Sequence, residues 1–370
     1  MFGRFFKAPS FSDNTWSTFS NDVLFMTDQI VSYEYTKRLT KAGQFSLVLP
    51  FDRQKLGKLE LMGTVCMNDN DWLAIENVSY DGKTLTLSGK DMKGLLDTRI
   101  ALYGTAQGEG TDGYDIVSGT TAQCIKHYLD NNCISPADSK RALPIRWSGG
   151  AQGLQNDSFM ARFECLSDIV SELCDNAGIG YDIRGYLSGS RFEFRTIQGV
   201  DRSFAQSERP RVIFSAAWGN VRSQSFEHGV DNLINVAYAT GSDEVTTAVF
   251  RDNLQKSGVL RRECNVSVGV ASSDEYFDKY AFKDLFDNVE SHSYTIEAAV
   301  TSGYGTAYDL GDTVTVRDEY TGNMFNAVLT EVTESFSAGK HDLKLVLGQQ
   351  KQKPLQKIVN NLLSGTARRR

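Results

Sequence analysis

Residues that build metal and nucleophile sites are sparse in this sequence. Four histidines occur in 370 residues, and the six cysteines (Cys66, Cys124, Cys133, Cys165, Cys174 and Cys264) show no CxxC spacing. That pattern excludes the common zinc frameworks, so no metal and no cofactor is expected. The thiols read as buried and reduced; Cys165 and Cys174 fall on one predicted helix, too far apart to pair. No apolar run approaches the roughly 20 residues needed to cross a bilayer. Met1 to Lys7 lead into no stretch of signal-peptide length, and no secretory leader is expected. A basic excess is missing too: 39 lysines and arginines stand against 46 acids, a net charge of −7, which argues against a general polyanion binder.

The charge is nevertheless uneven. From Leu343 to Arg370 the chain carries Lys344, Lys351, Lys353, Lys357, Arg368, Arg369 and Arg370 with no acid, so the end is basic and the body acidic. Leu355, Ile358, Val359, Leu362 and Leu363 recur there at helical spacing. An apolar stripe without a core of its own seeks a partner. Lys351, Lys353, Leu355, Lys357, Ile358, Leu362, Arg368, Arg369 and Arg370 are therefore the candidate partner-docking residues, suited to an acidic surface.

Length favours two or more packed units. Most periodic segments alternate with period two, the signature of half-buried strands: Thr84 to Ser88, Arg191 to Thr196, Thr313 to Arg317 and Asp342 to Leu347. Three helices interrupt them. One follows a threonine cap from Thr121 to Asn131, one runs from about Arg162 to Asn176 and ends at Gly178, and one runs from about Asp274 to Asn288. The fold class is mainly β with an α+β insertion. The expected domains are 1–98 and 206–350 as related β-barrel-like domains, the second with a helical insertion around 274–288. Residues 99–205 form a mixed middle region and 351–370 a basic tail.

The relation between the two β-domains is an internal echo. Residues 61–89 (LMGTVCMNDNDWLAIENVSYDGKTLTLSG) and 310–348 (LGDTVTVRDEYTGNMFNAVLTEVTESFSAGKHDLKLVLG) share a grammar. Each has a glycine (Gly63, Gly311) ahead of a Thr-Val strand, an acidic turn, an apolar strand ending in valine (Val78, Val332), a Gly-Lys turn, and a leucine strand closing on Gly89 or Gly348. Such a unit is an antiparallel three-stranded meander.

Motifs for catalysis do not hold up. Gly108 to Gly113 matches GxGxxG but lacks a buried strand before it and a helix after it, and its Glu109 and Asp112 would repel a pyrophosphate. Asn68 to Asp71 carries calcium-type oxygens without the EF-hand glycine and glutamate, and reads as a tight turn. No GxSxG occurs, and His127 reads as a helix-surface histidine. The 46 acids single out no catalytic pair. Trp147 and Trp218, each near an arginine, suit core packing better than sugar stacking.

Several segments together resemble the baseplate-hub and tail-hub proteins of long-tailed phages and related contractile injection systems. They are Ala74 to Val78 through Asp91 and Leu95 to Arg99; the helix at 162–176 with Gly180-Tyr181 and Gly199 to Arg202; Val212 to Ser215 with Gly219 to Val221; Asn235 to Ala237; and Asp309 to Val314. The resemblance implies a structural protein, not an enzyme, in the virion tail tip. There a homotrimer would present six similar β-domains to a sixfold tail tube and convert that symmetry to a threefold tip. Implied neighbours are the distal tail ring protein, the tape-measure C-terminus and a tip or receptor-binding protein. Phage DNA would pass through the channel without specific binding, and an acidic lumen would let it slide. The alternative reading is a cell-wall-degrading tail hydrolase or a carbohydrate-binding tail module using Trp147 or Trp218.

Overall fold

The structure is a computed structural model that describes residues 1–9, 11–12, 15–16, 19, 22–68, 70–102, 115–231, 233–240, 246–250, 257–267, 291–298 and 302–348. The alternation read in the sequence is what builds its main sheet. In Thr84–Asp91 every second residue is buried, and the leucines of Lys340–Gly348 point to one face in the same way.

Thirteen strands share that sheet. In chain order they are β1 (Gly3–Phe6), β2 (Val23–Thr27), β3 (Ser32–Arg38), β4 (Gln44–Pro50), β5 (Thr64–Met67), β6 (Asp71–Tyr80) and β7 (Thr84–Asp91). Then follow β8 (Ile213–Phe214), β9 (Val221–Gly229), β10 (Ser291–Ala298), β11 (Thr313–Arg317), β12 (Met324–Ser337) and β13 (Lys340–Gly348). The lateral order is β9-β10-β13-β12-β3-β4-β7-β6-β5-β1-β2, with β11 beside β12 and β8 beside β11. Both expected meanders are present: β5-β6-β7 and β11-β12-β13 pair antiparallel throughout. The turn after Asn68 that links β5 to β6 closes with the Asn70 N–H on the Met67 carbonyl.

One face of β3, β4, β6 and β7 supplies Tyr33, Tyr35, Phe45, Leu47, Leu49, Ile75, Leu85 and Leu87 to a core that Phe5, Val65 and Met67 of β1 and β5 complete. At about 1.5–3 kcal/mol per fully buried large side chain, this cluster is a main contribution to holding these strands together.

Residues 115–197 form a second layer on β1, β5 and the start of β6. Two helices, α1 (Thr121–Leu129) and α2 (Leu166–Ala177), pack with Trp72, Phe6 and Ala74 into one cluster. Thr120 and Gln123 make a reciprocal capping box on α1. Helix α2 starts later than its apolar periodicity suggests. Phe163 is left-handed at φ 57° and Cys165 is extended, bridging Ile100 as a strand residue, so the chain cannot turn helical before Leu166. Its end matches expectation, with Gly178 at φ 64°.

The chain divides into two compact units. The first holds Met1–Gln224 and the described residues from Thr295 onward, and thus the layers above. The second holds the described part of Ser225–Tyr294, where Val236–Thr240 lies between an antiparallel neighbour, Thr246–Phe250, and a parallel one, Glu263–Ser267. The division cuts β9 and β10 part-way along their length. The helix expected at 274–288 lies outside the described residues.

Candidate functional site: a repeated strand module

The sheet is built from one module used twice. Within the lateral order, β3-β4-β7-β6 with β5 flanking β6 recurs as β9-β10-β13-β12 with β11 flanking β12, and the strands occur in the same chain order in both. Hydrogen bonds fix the equivalence residue by residue. The Ile75 N–H donates to the Gly63 carbonyl at 2.8 Å while the Ile75 carbonyl accepts from the Met62 N–H at 2.7 Å. The Leu329 N–H donates to the Asp312 carbonyl at 2.9 Å, and its carbonyl accepts from the Gly311 N–H at 2.8 Å. A β-bulge follows each: the register shifts between Ile75 and Asn77, and between Leu329 and Glu331.

This equivalence corrects the glycine matching made in the sequence. Gly311 corresponds to Met62, not Gly63, because both take a left-handed backbone at this corner, φ 96° and φ 65°. Asp312 takes the place of Gly63. At the far end Leu345 corresponds to Leu87, so Gly348 aligns with Lys90 instead of Gly89.

The two modules join side by side through β3 and β12. Residues 331–337 of β12 pair with β3, reinforced by Arg38 Nε to Glu331 at 2.7 Å, Lys37 Nζ to Glu334 at 3.1 Å and the Thr36 and Thr333 hydroxyls at 2.9 Å. Lys37 also meets Asp71 at 3.1 Å, and these two acids raise its pKa against the opposing effect of burial.

The corresponding edge of β6 carries no neighbouring strand among the described residues beyond Ile75. Because the Asp81 N–H bonds the Thr84 carbonyl, Asn77 and Ser79 face β7, and the backbone groups of Val78 and Tyr80 point outward along the edge. Exposed apolar side chains flank it: Tyr80 and Leu61 at 62% exposure, and Met62. An unpaired edge beside exposed apolar groups is a place where another strand adds.

The model of the siphovirus ReqiPepy6 Gp37-like protein family matches residues 22–349, nearly the whole ladder and all of the middle region. The chain belongs to that family. This Gp37-like chain also has the fold of phage tail proteins. It is similar to the 43 kDa tail protein of prophage MuSo2 from Shewanella oneidensis, with 12% identity and TM-score 0.54 over 94% of this chain and 98% of that one. A tail protein from Neisseria meningitidis MC58 shows 14% identity and TM-score 0.55 over 89% of this chain and 96% of that one. A chain of the Francisella PdpA-VgrG complex shares 9% identity at TM-score 0.50, over 95% of this chain and 53% of that one. No protein of curated function matches the sequence.

Other candidate positions of the Gp37-like chain resolve in different ways. The docking residues Lys351, Lys353, Leu355, Lys357, Ile358, Leu362, Arg368, Arg369 and Arg370 lie outside the described residues, as does the GxGxxG match. Trp147 stacks on Phe194 at 5.4 Å and packs against the core of the middle region, whereas Trp218 is 61% exposed. His127 is a clamp instead of a surface histidine: its Nε2 lies 2.8 Å from the Oδ1 of buried Asp115, tying α1 to the strand Asp115–Thr120. No disulfide joins the six cysteines, and burial pushes the Cys124 thiol up to about 11 and Cys133 up to about 12, which suppresses their nucleophilic thiolates. Among the described residues no group of three His, Cys, Asp or Glu side chains could hold a metal, and no helix is long and apolar enough to cross a membrane.

Proposed function

We propose that this chain is the hub of a siphovirus tail tip, a ring of three copies whose two modules each imitate one subunit of a sixfold tube. The observation that carries the reading is the tandem module. Within one chain β3 already adds to the edge of β12, and β9 occupies in its module the place of β3. The free edge of β6 then calls for β9 of the next copy, a head-to-tail contact that closes when the repeat completes a circle. Eight ladder strands per copy make 24 in a trimer. At about 4.8 Å between strands the wall is about 115 Å around, roughly 37 Å across before strand tilt widens it, which admits a nucleic-acid duplex.

In this role the chain joins a sixfold tube, through the distal tail ring and tape-measure end, to a threefold tip or receptor-binding protein, with the basic tail 351–370 as a docking element. The related β-domains expected at 1–98 and 206–350 supply the modules, and 99–205 the outer layer.

Mass measurement of the purified chain, alone and with its neighbouring tail proteins, tests the reading. Three copies per ring are expected. A particle that stays monomeric in both settings, or closes with a copy number that does not give six modules, overturns it.

A further inference from the structure

The ladder has two unlike faces. One carries the leucines and aromatics of the module core, with β1, β2 and β5 folded behind it. The other is polar and continuous across the joint between modules. Cross-strand pairs set Asn77 opposite Ser88, Ser88 opposite Ser46, Ser46 opposite Glu34, Glu34 opposite Ser335 and Ser335 opposite Asp342, one unbroken row over six strands. The row on one side holds Ser79, Thr86, Val48, Ser32, Ser337 and Lys340, and the row on the other holds Lys90, Gln44, Thr36, Thr333 and Lys344.

The charges on this face are mixed: Arg38, Lys90, Lys340 and Lys344 stand with Glu34, Glu331 and Asp342. Arg38 pairs with Glu331 at 2.7 Å, Lys90 with Asp97 at 2.8 Å and Asp342 with Arg222 at 2.5 Å. The resemblance implies an acidic lumen, whereas acids and bases are mixed on this face.

We propose that this hydroxyl-rich face of mixed charge lines the passage of the ring and lets nucleic acid move through without being held. The inference rests on the ring reading above and adds the orientation and chemistry of its wall. The orientation follows from layering. A passage must be bounded by a surface with nothing stacked on it, and on the opposite face the module core stands behind β3, β4, β6 and β7. The chemistry follows from counterion release: duplex binding strengthens with each lysine or arginine that reaches a phosphate, so a wall whose arginines and Lys90 are already paired, and whose two lysines without an ion pair among the described residues, Lys340 and Lys344, share the face with Glu34, gives phosphates little to hold. Short hydroxyl side chains also leave the bore wide.

The orientation is tested with Ser46→Cys in a Cys165→Ser, Cys264→Ser background, labelled with a small biotin-maleimide. Label should enter both isolated chain and ring, while streptavidin, too large for the bore, should capture only the isolated chain. Equal capture of intact rings overturns the orientation, and rings that stay closed to the small label overturn it too. If no ring forms at all, the hub reading fails and the lining goes with it. The chemistry is tested with Ser46→Arg, Ser335→Arg rings in filter binding of duplex DNA at low salt. Retention at least about tenfold above the unsubstituted ring is expected, lost on raising salt. Strong retention by the unsubstituted ring, or none by the arginine ring, overturns the proposal.

Discussion

Lys37 and Glu334 stand 3.1 Å apart across the seam where one module meets the other, and that seam is the chain's own pattern for how a further copy would add. In both places an outward-facing strand edge follows a bulge; at β12 the next strand in line is β3, the first of its module, and in the proposed ring β9 of the next copy takes that place at β6.

Tyr80→Pro removes an N–H that points away from β7, so it costs the folded chain little while blocking strand addition. Rings should be lost in mass measurements, with the urea midpoint of the isolated chain shifted by no more than about 1 kcal/mol in stability. Unimpaired assembly of this variant would show that the edge of β6 is not the contact.

Lys37→Ala leaves Asp71 and Glu334 facing each other without their shared cation. Their side chains are 22% and 34% exposed, so solvent softens the loss, and about 1–3 kcal/mol of stability should disappear. A double-mutant cycle with Asp71→Asn measures it; coupling indistinguishable from zero would remove the pair from the account of the seam.

Asp91 gives the fold a pH dependence of unusual sign. Burial raises its pKa to about 6, even though the carboxylate accepts from the Gly43 N–H, the Tyr35 hydroxyl and the Lys93 N–H. The folded chain therefore binds more protons than the unfolded chain between the ordinary carboxyl value of 3.8 and about 6. Stability from this group is greatest below that window and falls as pH rises through it, by about 3 kcal/mol in all. Urea midpoints from pH 4 to 7 should show the slope in the native chain and its loss in Asp91→Asn; parallel profiles would contradict the assignment.

Gly199→Ala should be severely destabilising, by about 3 kcal/mol or more. A Cβ there would sit 1.7 Å from the Gly311 carbonyl oxygen, at the point where the chain returns from the middle region to the second module. Neighbouring contacts hold that point tightly: the Val200 N–H and Arg202 Nε both donate to buried Asp312, at 2.7 and 2.8 Å. Thermal unfolding of the variant checks it; an unchanged midpoint would mean the two segments separate freely.

Much of the module is legible in the sequence, because alternation at Leu85 and Leu87 and at Leu343, Leu345 and Leu347 reports which face is buried. The register was misread by one residue, since matching glycine to glycine ignores that Met62, a residue with a Cβ, occupies the left-handed corner that Gly311 fills in the other copy. The first two strands of each module share no such pattern in the sequence. The β3 and β4 strands are adjacent in sequence, whereas their counterparts β9 and β10 are separated by some sixty residues, and pairing depends on backbone geometry more than on shared side chains. The polar face could not be recognised as continuous until the β3 to β12 register set Glu34 beside Ser335.

The second compact unit departs from β9 and comes back on β10, two strands that lie next to each other in the lateral order. A segment attached at such a doorway can lengthen, shrink or be exchanged for an unrelated one without moving any other rung. Exchange of that segment would leave the hydrogen-bonded ladder from β13 to β6 as it is.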